Sequence, residues 1–180
     1  MNGKINLNNM KIIFLTNSFG TGGAERQILD LAKELIRKGH EVKLITLKSK
    51  PSDLLKHASL MNHSSLGMDS YLGYLSSYFK YKKTLEEFNP DIVHAHLPHS
   101  IIFSRILSFV INKKYKLICT THNYNIRSNL FAFLYKITDF LSDFNTNVSQ
   151  SAIDRYIKEG LYKKVIVNMC LMVLMWIFQL

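Results

Sequence analysis

Cysteine, proline and acidic residues are all scarce in this chain. Its 180 residues include two cysteines, three prolines and 13 acidic residues, against 23 lysines and arginines. Two cysteines are too few for a disulfide framework, so we expect a reduced, cytoplasmic compartment. The polar residues 1–9 have no apolar core of the kind found in a signal peptide. The formal net charge of +10 favours an anionic partner: a phospholipid surface, a nucleotide-sugar or a nucleic acid.

Several motifs that carry chemistry are also missing. No RNA- or DNA-reading motif occurs, so nucleic acid is the least favoured of these partners and we expect none. Neither G-x-G-x-x-G nor the P-loop pattern is present, so neither a dinucleotide fold nor an NTPase follows. His94, His96 and His99 lack the further ligands of a zinc site, and His94 is expected to be a packed strand residue. We therefore expect no metal and no cofactor.

A glycine-rich turn at residues 16–26 is the stretch around which the rest of the sequence can be interpreted. It follows an apolar run at 11–15 and leads into a helical pattern. Strand, glycine turn and helix together direct free backbone N–H groups and a helix dipole at an anion. Gly22 or Gly23 is expected to adopt positive φ or to lie too close to the helix at 25–38 for a side chain.

The rest of the chain alternates between apolar runs and helical patterns. Hydrophobic residues make up 47% and charged residues 20% of it, as in a folded domain. The patterns predict α/β class: a Rossmann-like, doubly wound parallel sheet with helices on both faces. Strands are predicted at 11–17, 41–47, 58–62, 92–96, 116–121, 144–149 and from 164, and helices at 25–38, 71–88, 100–111, 129–141 and 150–158.

Ligands of such sheets bind at the carboxyl ends of the strands. Gly22, Gly23, His96, His122 and Asn123 each follow the end of a predicted strand, His96 in a loop that it shares with His99. His122 is the best catalytic candidate, because an imidazole with a pKa near 6.5 can donate a proton near neutral pH.

Four stretches resemble the family 4 glycosyltransferases. Gly22-Gly-Ala-Glu-Arg26 matches the G-G-A-E-R motif of these retaining enzymes of GT-B architecture. Residues 90–96, Thr120-Thr-His-Asn123 and residues 147–149 follow in the family's order. The resemblance covers residues 11–167, which correspond to the family's N-terminal domain.

The resemblance implies transfer of a sugar from a nucleotide-sugar to a saccharide or lipid-linked acceptor, in bacterial surface polysaccharide or glycolipid synthesis. The glycine turn would lie close to the donor's phosphates, the loop around His96 would shape the acceptor pocket, and His122 would face the donor sugar. Glu25 and Arg26 belong to the same motif, although Glu25 could equally stabilise the positive N-terminus of its helix. Such enzymes have no firmly established protein nucleophile, and positioned donors stabilise the departing nucleoside diphosphate.

The resemblance ends at Val167. We expect residues 1–167 to form the acceptor-side domain and residues 168–180 to be an aberrant apolar tail. Met and Trp each have a single codon, so part of the DNA sequence that encodes this tail can be reconstructed. In a shifted reading frame this DNA can encode P-N-G-V-D-V-D, and the family has P-N-G-V-D at this place. The donor-binding domain is then missing, and the chain alone is expected to be inactive.

Two other interpretations remain open. The chain could be a stand-alone module with a flavodoxin-like sheet that binds an anion or a nucleotide. Residues 165–180 could anchor it in a membrane, although this run is shorter than the ~20 residues that a span needs. Aromatic residues beside the basic run at 80–83 could also bring the chain to the inner face of an anionic membrane.

Overall fold

The computed structural model describes residues 9–49, 52–124, 126 and 128–162. The chain forms two compact units. One contains the described residues up to Phe14 together with Ser18–Ile92, and the other contains Leu15–Asn17 and the described residues from Val93 onward. The tail at 168–180 and the predicted strand at 164 lie outside the described residues.

Six strands form one parallel sheet with the order β3-β2-β1-β4-β5-β6. This is the strand order of a Rossmann-like doubly wound sheet, so the predicted fold class is confirmed. Leu44 pairs with His63 where β2 meets β3, and Ile118 pairs with Phe144 where β5 meets β6. The strands are β1 (Lys11–Thr16), β2 (Glu41–Thr46), β3 (His63–Ser65), β4 (Ile92–His96), β5 (Lys116–Thr121) and β6 (Phe144–Asn147).

The five predicted helices are present, two of them with the predicted bounds and three with shifted ends. Pro98 begins its helix two residues before the predicted start, because proline's fixed φ suits the first helical turn. Gly39 and Gly160 end two helices with φ of 90° and 67°, the left-handed conformation that glycine adopts without strain. The helices are α1 (Gly23–Arg37), α2 (Asp53–Ser59), α3 (Tyr71–Phe88), α4 (Pro98–Val110), α5 (Asn129–Thr138) and α6 (Gln150–Lys158).

The predicted strand at 58–62 is wrong. Residues 53–59 form α2 instead, because the Ser52 side chain accepts a hydrogen bond from Leu55 N at 3.0 Å and caps the helix. The third strand is the short, polar run His63–Ser65. It has no alternation of apolar residues, so periodicity could not reveal it.

A buried arginine ties together the second unit. Arg105 of α4 has no solvent exposure, and its guanidinium lies 3.3 Å from Asp139 Oδ1, which is equally buried. The guanidinium also donates to Asn145 Oδ1 at 2.5 Å and stacks 5.1 Å from the centroid of the Tyr135 ring. Further acceptors are Tyr135 O, Thr138 Oγ1 and Ser142 Oγ. One side chain therefore links α4, α5, the 3-10 turn Asp139–Leu141 and β6.

The neighbouring strand β5 carries Cys119. Its side chain is fully buried, and its thiol is not part of a disulfide. Burial raises the pKa of this thiol, although the nearby Arg105 guanidinium opposes that shift. Cys119 is therefore an inert core residue in the folded chain.

Candidate active site

A cavity of about 710 Å³ opens in the second unit. The beginning of α4, the loop after β5 and the beginning of α5 supply its walls. This volume lies in the usual range for a small-molecule site. The lining residues are Pro98, His99, His122, Asn123, Tyr124, Ile126, Ser128 and Phe131.

His122 is hydrogen-bonded to a second histidine behind the cavity wall. Its Nε2 lies 3.0 Å from Nδ1 of His96. His96 is the last residue of β4, the strand predicted at 92–96, and it is fully buried, so it does not share the following loop with His99 as expected. The two residues do lie together at one site, as expected from the parallel strands that carry them.

The polar interior continues behind His96. His94, the packed strand residue that the sequence predicted, lies with its ring centroid 4.0 Å from that of His96. Its Nε2 is 2.7 Å from Thr120 Oγ1, which is in turn 2.6 Å from Thr146 Oγ1. Three adjacent strands therefore support the histidine at the cavity wall.

Burial lowers the pKa of each of these histidines. The pKa of His122 falls to about 4, and that of His94 falls to about 3 with a further contribution from His122. The pKa of His96 is also held well below its usual range, by burial and by the other two rings. All three are therefore neutral near pH 7, which corrects the expectation of a pKa near 6.5 for His122.

A neutral imidazole donates through one nitrogen and accepts through the other. If Nδ1 of His96 donates to Nε2 of His122, then the proton of His122 is on its own Nδ1 and can be donated elsewhere. In the opposite arrangement, Nδ1 of His122 is an acceptor. His96 therefore controls which role His122 can play at the cavity wall.

These pKa values predict an acid-sensitive fold. Both His94 and His122 have a lower pKa in the folded chain than the ordinary value of about 6.5, so the unfolded chain binds more protons between about pH 4 and 6.5. The free energy of unfolding should therefore rise as the pH increases across this window. The corresponding stability is lost as the pH falls through the same window. Urea unfolding at several pH values between 4 and 7.5 measures it.

Two histidine variants test this assignment. His122→Gln removes one of the responsible groups, so its free energy of unfolding should depend less steeply on pH. His57→Gln, on the exposed surface of α2, is the matched control and should follow the wild-type curve. An unchanged slope in His122→Gln would show that this histidine is not buried neutral in the folded chain.

Leu97 holds a strained backbone between β4 and α4. Its φ of 70° and ψ of 151° lie in a region that is essentially restricted to glycine. Its N–H donates to Thr120 O at 3.3 Å, and its carbonyl accepts from Ser100 Oγ at 3.0 Å. The side chain of Ser100 also donates to His96 O. Strain is thus maintained directly beside the paired histidines, a feature that no sequence signal indicated.

Leu97→Gly and Leu97→Ala form a matched pair, because both remove the leucine side chain. At an ordinary position glycine is less stable than alanine by about 0.5–1 kcal/mol. At position 97 we expect the opposite sign, with the glycine variant more stable by about 1 kcal/mol, because only glycine relieves the strain. Urea unfolding of both variants measures the difference, and a less stable glycine variant would contradict the strained conformation.

The loop at Asn123 is anchored through its backbone. Asn123 O accepts hydrogen bonds from Asn147 Nδ2 at 3.2 Å and from the Tyr156 hydroxyl at 3.1 Å. The next residue, Tyr124, stacks against the Arg155 guanidinium, which lies 5.0 Å from the ring centroid. Tyr124 borders both the main cavity and a second groove of about 670 Å³, which is otherwise lined by α6 residues: Ser151, Asp154, Arg155, Lys158 and Glu159.

The remaining predicted residues lie in the first unit, where α1 begins. Neither Gly22, with φ of −79°, nor Gly23 adopts positive φ. The predicted alternative, a close approach to the helix, is found at Gly22, because a Cβ there would collide with the Glu25 carboxylate, which would have to move. A Cβ on Gly23 would meet no described heavy atom within 4 Å. Arg26 lines a groove of about 450 Å³ together with α1 and α2 residues that include Asp30, Asp53 and His57.

Among the residues that the structure describes, no group of three or more histidine, cysteine or carboxylate side chains could hold a metal ion. Asp91, at the opposite end of β4 from the histidines, accepts a hydrogen bond from Lys11 N at 2.8 Å. No helix in the described ranges is long and apolar enough to cross a membrane.

Solved structures share this fold at low sequence identity. A glycosyltransferase from Rickettsia africae is 20% identical with a TM-score of 0.69, and the match covers 89% of this chain and 43% of that one. HepE of Anabaena, solved with UDP, is 20% identical with a TM-score of 0.66, covering 88% and 44%. The lipopolysaccharide outer core galactosyltransferase WaaB is 16% identical with a TM-score of 0.65, covering 84% and 43%.

This chain thus spans less than half the length of these structures, and at such identities they establish the fold alone. No curated protein matches the chain. The model of the family described as Glycosyltransferase Family 4 matches residues 21–168, a range that contains both Gly22-Gly-Ala-Glu-Arg26 and the paired histidines. The chain therefore belongs to Glycosyltransferase Family 4.

Proposed function

We propose that this domain serves a retaining glycosyltransferase that moves a sugar from a nucleotide-sugar to a saccharide or lipid-linked acceptor. The process would be synthesis of bacterial surface polysaccharide or glycolipid at the inner face of the membrane. Two similar structures support the donor class, because HepE was solved with UDP and with UDP-glucose. WaaB, by its name, supports a surface-glycan acceptor.

The observation that carries this proposal is the pairing of His122 with His96 at the wall of the 710 Å³ cavity. His122 and Asn123 present polar groups to the cavity, whereas Ile126 and Phe131 present apolar ones. A sugar has both hydroxyl groups and apolar C–H faces, so it can contact both kinds of wall. The cavity is large enough for an acceptor that is longer than one sugar.

In the transfer that we propose, the bond from the anomeric carbon to the phosphate oxygen breaks. A bond to the acceptor oxygen forms on the same face, and the acceptor's proton passes to the departing phosphate. His122, donating through Nδ1, stabilises the negative charge that develops as the nucleoside diphosphate leaves. Because His122 is neutral, it acts as a hydrogen-bond donor and not as a cation.

A separate part of the proposal concerns the α1 turn of the first unit. Gly22 has no side chain that could cap the helix, so the N–H groups of the first turn remain available to the donor's phosphates. A Cβ at Gly22 would displace the Glu25 carboxylate from its place beside this turn. Arg26 would add positive charge there.

Release of nucleoside diphosphate tests the proposal. The longest natural protein that contains this domain is incubated with a panel of nucleotide-sugars and a lipid extract of the source cell. We expect acceptor-dependent release that follows one donor. Tight nucleotide binding by the same protein with no release, for any donor, would contradict the proposal and favour the stand-alone binding module.

A further inference from the structure

Seven large apolar side chains are exposed on the neighbouring helices α4 and α5. They are between 43% and 73% exposed. On α5 they recur at intervals of three, four and three residues, which places them on one side of the helix. The seven side chains, hereafter the α4–α5 face, are Ile106, Phe109 and Val110 of α4, Leu130, Phe133 and Ile137 of α5, and Phe140 just beyond it.

The two helices lie side by side along their whole length. Near their beginnings, the rings of His99 and Phe131 are 4.7 Å apart. Arg105 donates to Tyr135 O in the middle, and Lys113 Nζ donates to Leu141 O at 3.1 Å beyond their ends. The buried contacts between the helices leave their apolar exposed side chains on the outer surface.

Most of the charges around this face are basic. From Ile92 to Thr138 the sequence contains no aspartate or glutamate, although it contains six basic residues. Of the two acidic residues that follow, Asp139 is buried against Arg105, and Asp143 is paired with Lys113 and Lys116. Lys114, just beyond α4, and Lys136 of α5 are exposed. An apolar face bordered by lysines is complementary to a surface that is apolar inside and anionic outside.

We propose that the α4–α5 face docks on an anionic lipid bilayer. Its phenylalanines and aliphatic side chains would enter the boundary between headgroups and acyl chains, while the lysines contact anionic headgroups. A bilayer fits better than a protein partner, because lysine is depleted at protein interfaces. The cavity opens at the beginnings of the same two helices, so docking would bring it near a lipid-linked acceptor. This last step rests on the proposed function, whereas the docking itself does not.

The basic run of α3 fits this role less well. Tyr74, Leu75 and Phe79 are exposed there as well. However, Lys82 and Lys83 lie 3.9 Å and 3.7 Å from Glu86 and Glu87, one helical turn away. The charge of the run is thereby balanced on the helix itself. This helix, which the sequence suggested as the membrane contact, instead offers a matched control.

Vesicle flotation tests the proposal with the purified chain. The probes are phosphatidylcholine vesicles with and without about 30% phosphatidylglycerol. The variant Phe133→Ser/Phe140→Ser removes two aromatic side chains from the α4–α5 face, and Leu75→Ser/Phe79→Ser removes two apolar side chains from α3. Circular dichroism and urea unfolding establish that both variants fold.

We expect the wild type and the α3 variant to bind the anionic vesicles, and the α4–α5 variant to bind at least about tenfold more weakly. Binding should also weaken at high salt. Equal binding by all three chains would overturn the proposal, because another segment such as residues 168–180 would then be responsible. Absence of vesicle binding by the wild type would overturn the proposal too. If the wild type instead forms a dimer that the α4–α5 variant does not form, the face is an interface between two copies of the chain and the proposal is likewise overturned.

Failure of this proposal can be told apart from failure of the proposed function. Neither Phe133 nor Phe140 lines the cavity. In the longest natural protein that contains this domain, nucleoside diphosphate release with a water-soluble acceptor should therefore be the same with the α4–α5 substitutions and without them. Loss of vesicle binding with release retained supports docking, and loss of both would show that the substitutions damaged the domain and overturn the assignment.

Discussion

Arg105→Met is expected to lower the free energy of unfolding by about 3–5 kcal/mol. The substitution keeps the apolar length of the side chain but leaves the fully buried Asp139 carboxylate without its cation. It also removes the donors to Asn145, Ser142 and the carbonyl of Tyr135. The loss is large because a buried charge without a partner costs more than the ion pair itself contributes. Urea unfolding of the whole chain measures it.

A surface pair provides the control for this prediction. Arg37 and Glu34 are 2.6 Å apart on α1, but both side chains are largely exposed, so Arg37→Met should leave the unfolding midpoint unchanged. The double variant Arg105→Met/Asp139→Leu should lose less than the two single variants combined, because it buries no charge. Additive losses, or a single loss below about 1 kcal/mol, would show that the buried pair is not what holds this unit together.

His122→Ala is expected to reduce kcat by about 10²–10³-fold with a much smaller change in KM. The variant is made in the longest natural protein that contains this domain, and its release of nucleoside diphosphate is measured. The reduction follows from the loss of a hydrogen-bond donor whose contribution is greatest in the transition state. Lys83→Ala, on the exposed surface of α3 and outside the cavity, should retain wild-type turnover.

Two further variants distinguish how His122 acts. His122→Gln retains a neutral N–H donor, so it should retain more turnover than His122→Ala. His96→Asn should change kcat and its pH profile, because His96 orients its neighbour without lining the cavity. Equal turnover in His122→Ala and the wild type would make this histidine a bystander. Equal loss in His122→Ala and His122→Gln would contradict the role of a neutral donor.

Much of the fold could be predicted because its periodic segments are long. The bounds of β4, β5, α3 and α6 agree with the sequence-based ranges to the residue. The apolar runs of the central strands and the capping serine of α6 carry strong local signals. The third strand was missed because its three residues pair with β2 through the backbone and bury no apolar stripe.

The site could be predicted only in outline. Strand ends placed His96 and His122 together, since parallel neighbours deliver their last residues to one edge. Their pKa values could not be predicted, because these depend on burial behind the cavity wall. Neither Gly22 nor Gly23 has a positive φ, whereas Leu97 does, and a leucine gives no hint of it in the sequence. The roles of Gly22, Gly23, Glu25, Arg26, His96, His122 and Asn123 stay predictions.

The buried thiol of Cys119 allows opening of the second unit to be measured. A thiol-specific reagent can reach this sulfur only while β5 is open, because the folded side chain has no exposed surface. In a Cys170→Ser chain, the rate of labelling would therefore report how often the sheet opens around β5, the strand next to the one that carries His96. A ligand that binds the cavity only in the folded chain makes this opening rarer, and the more so the higher its affinity. Slower labelling would thus rank candidate ligands of the cavity without any transfer taking place.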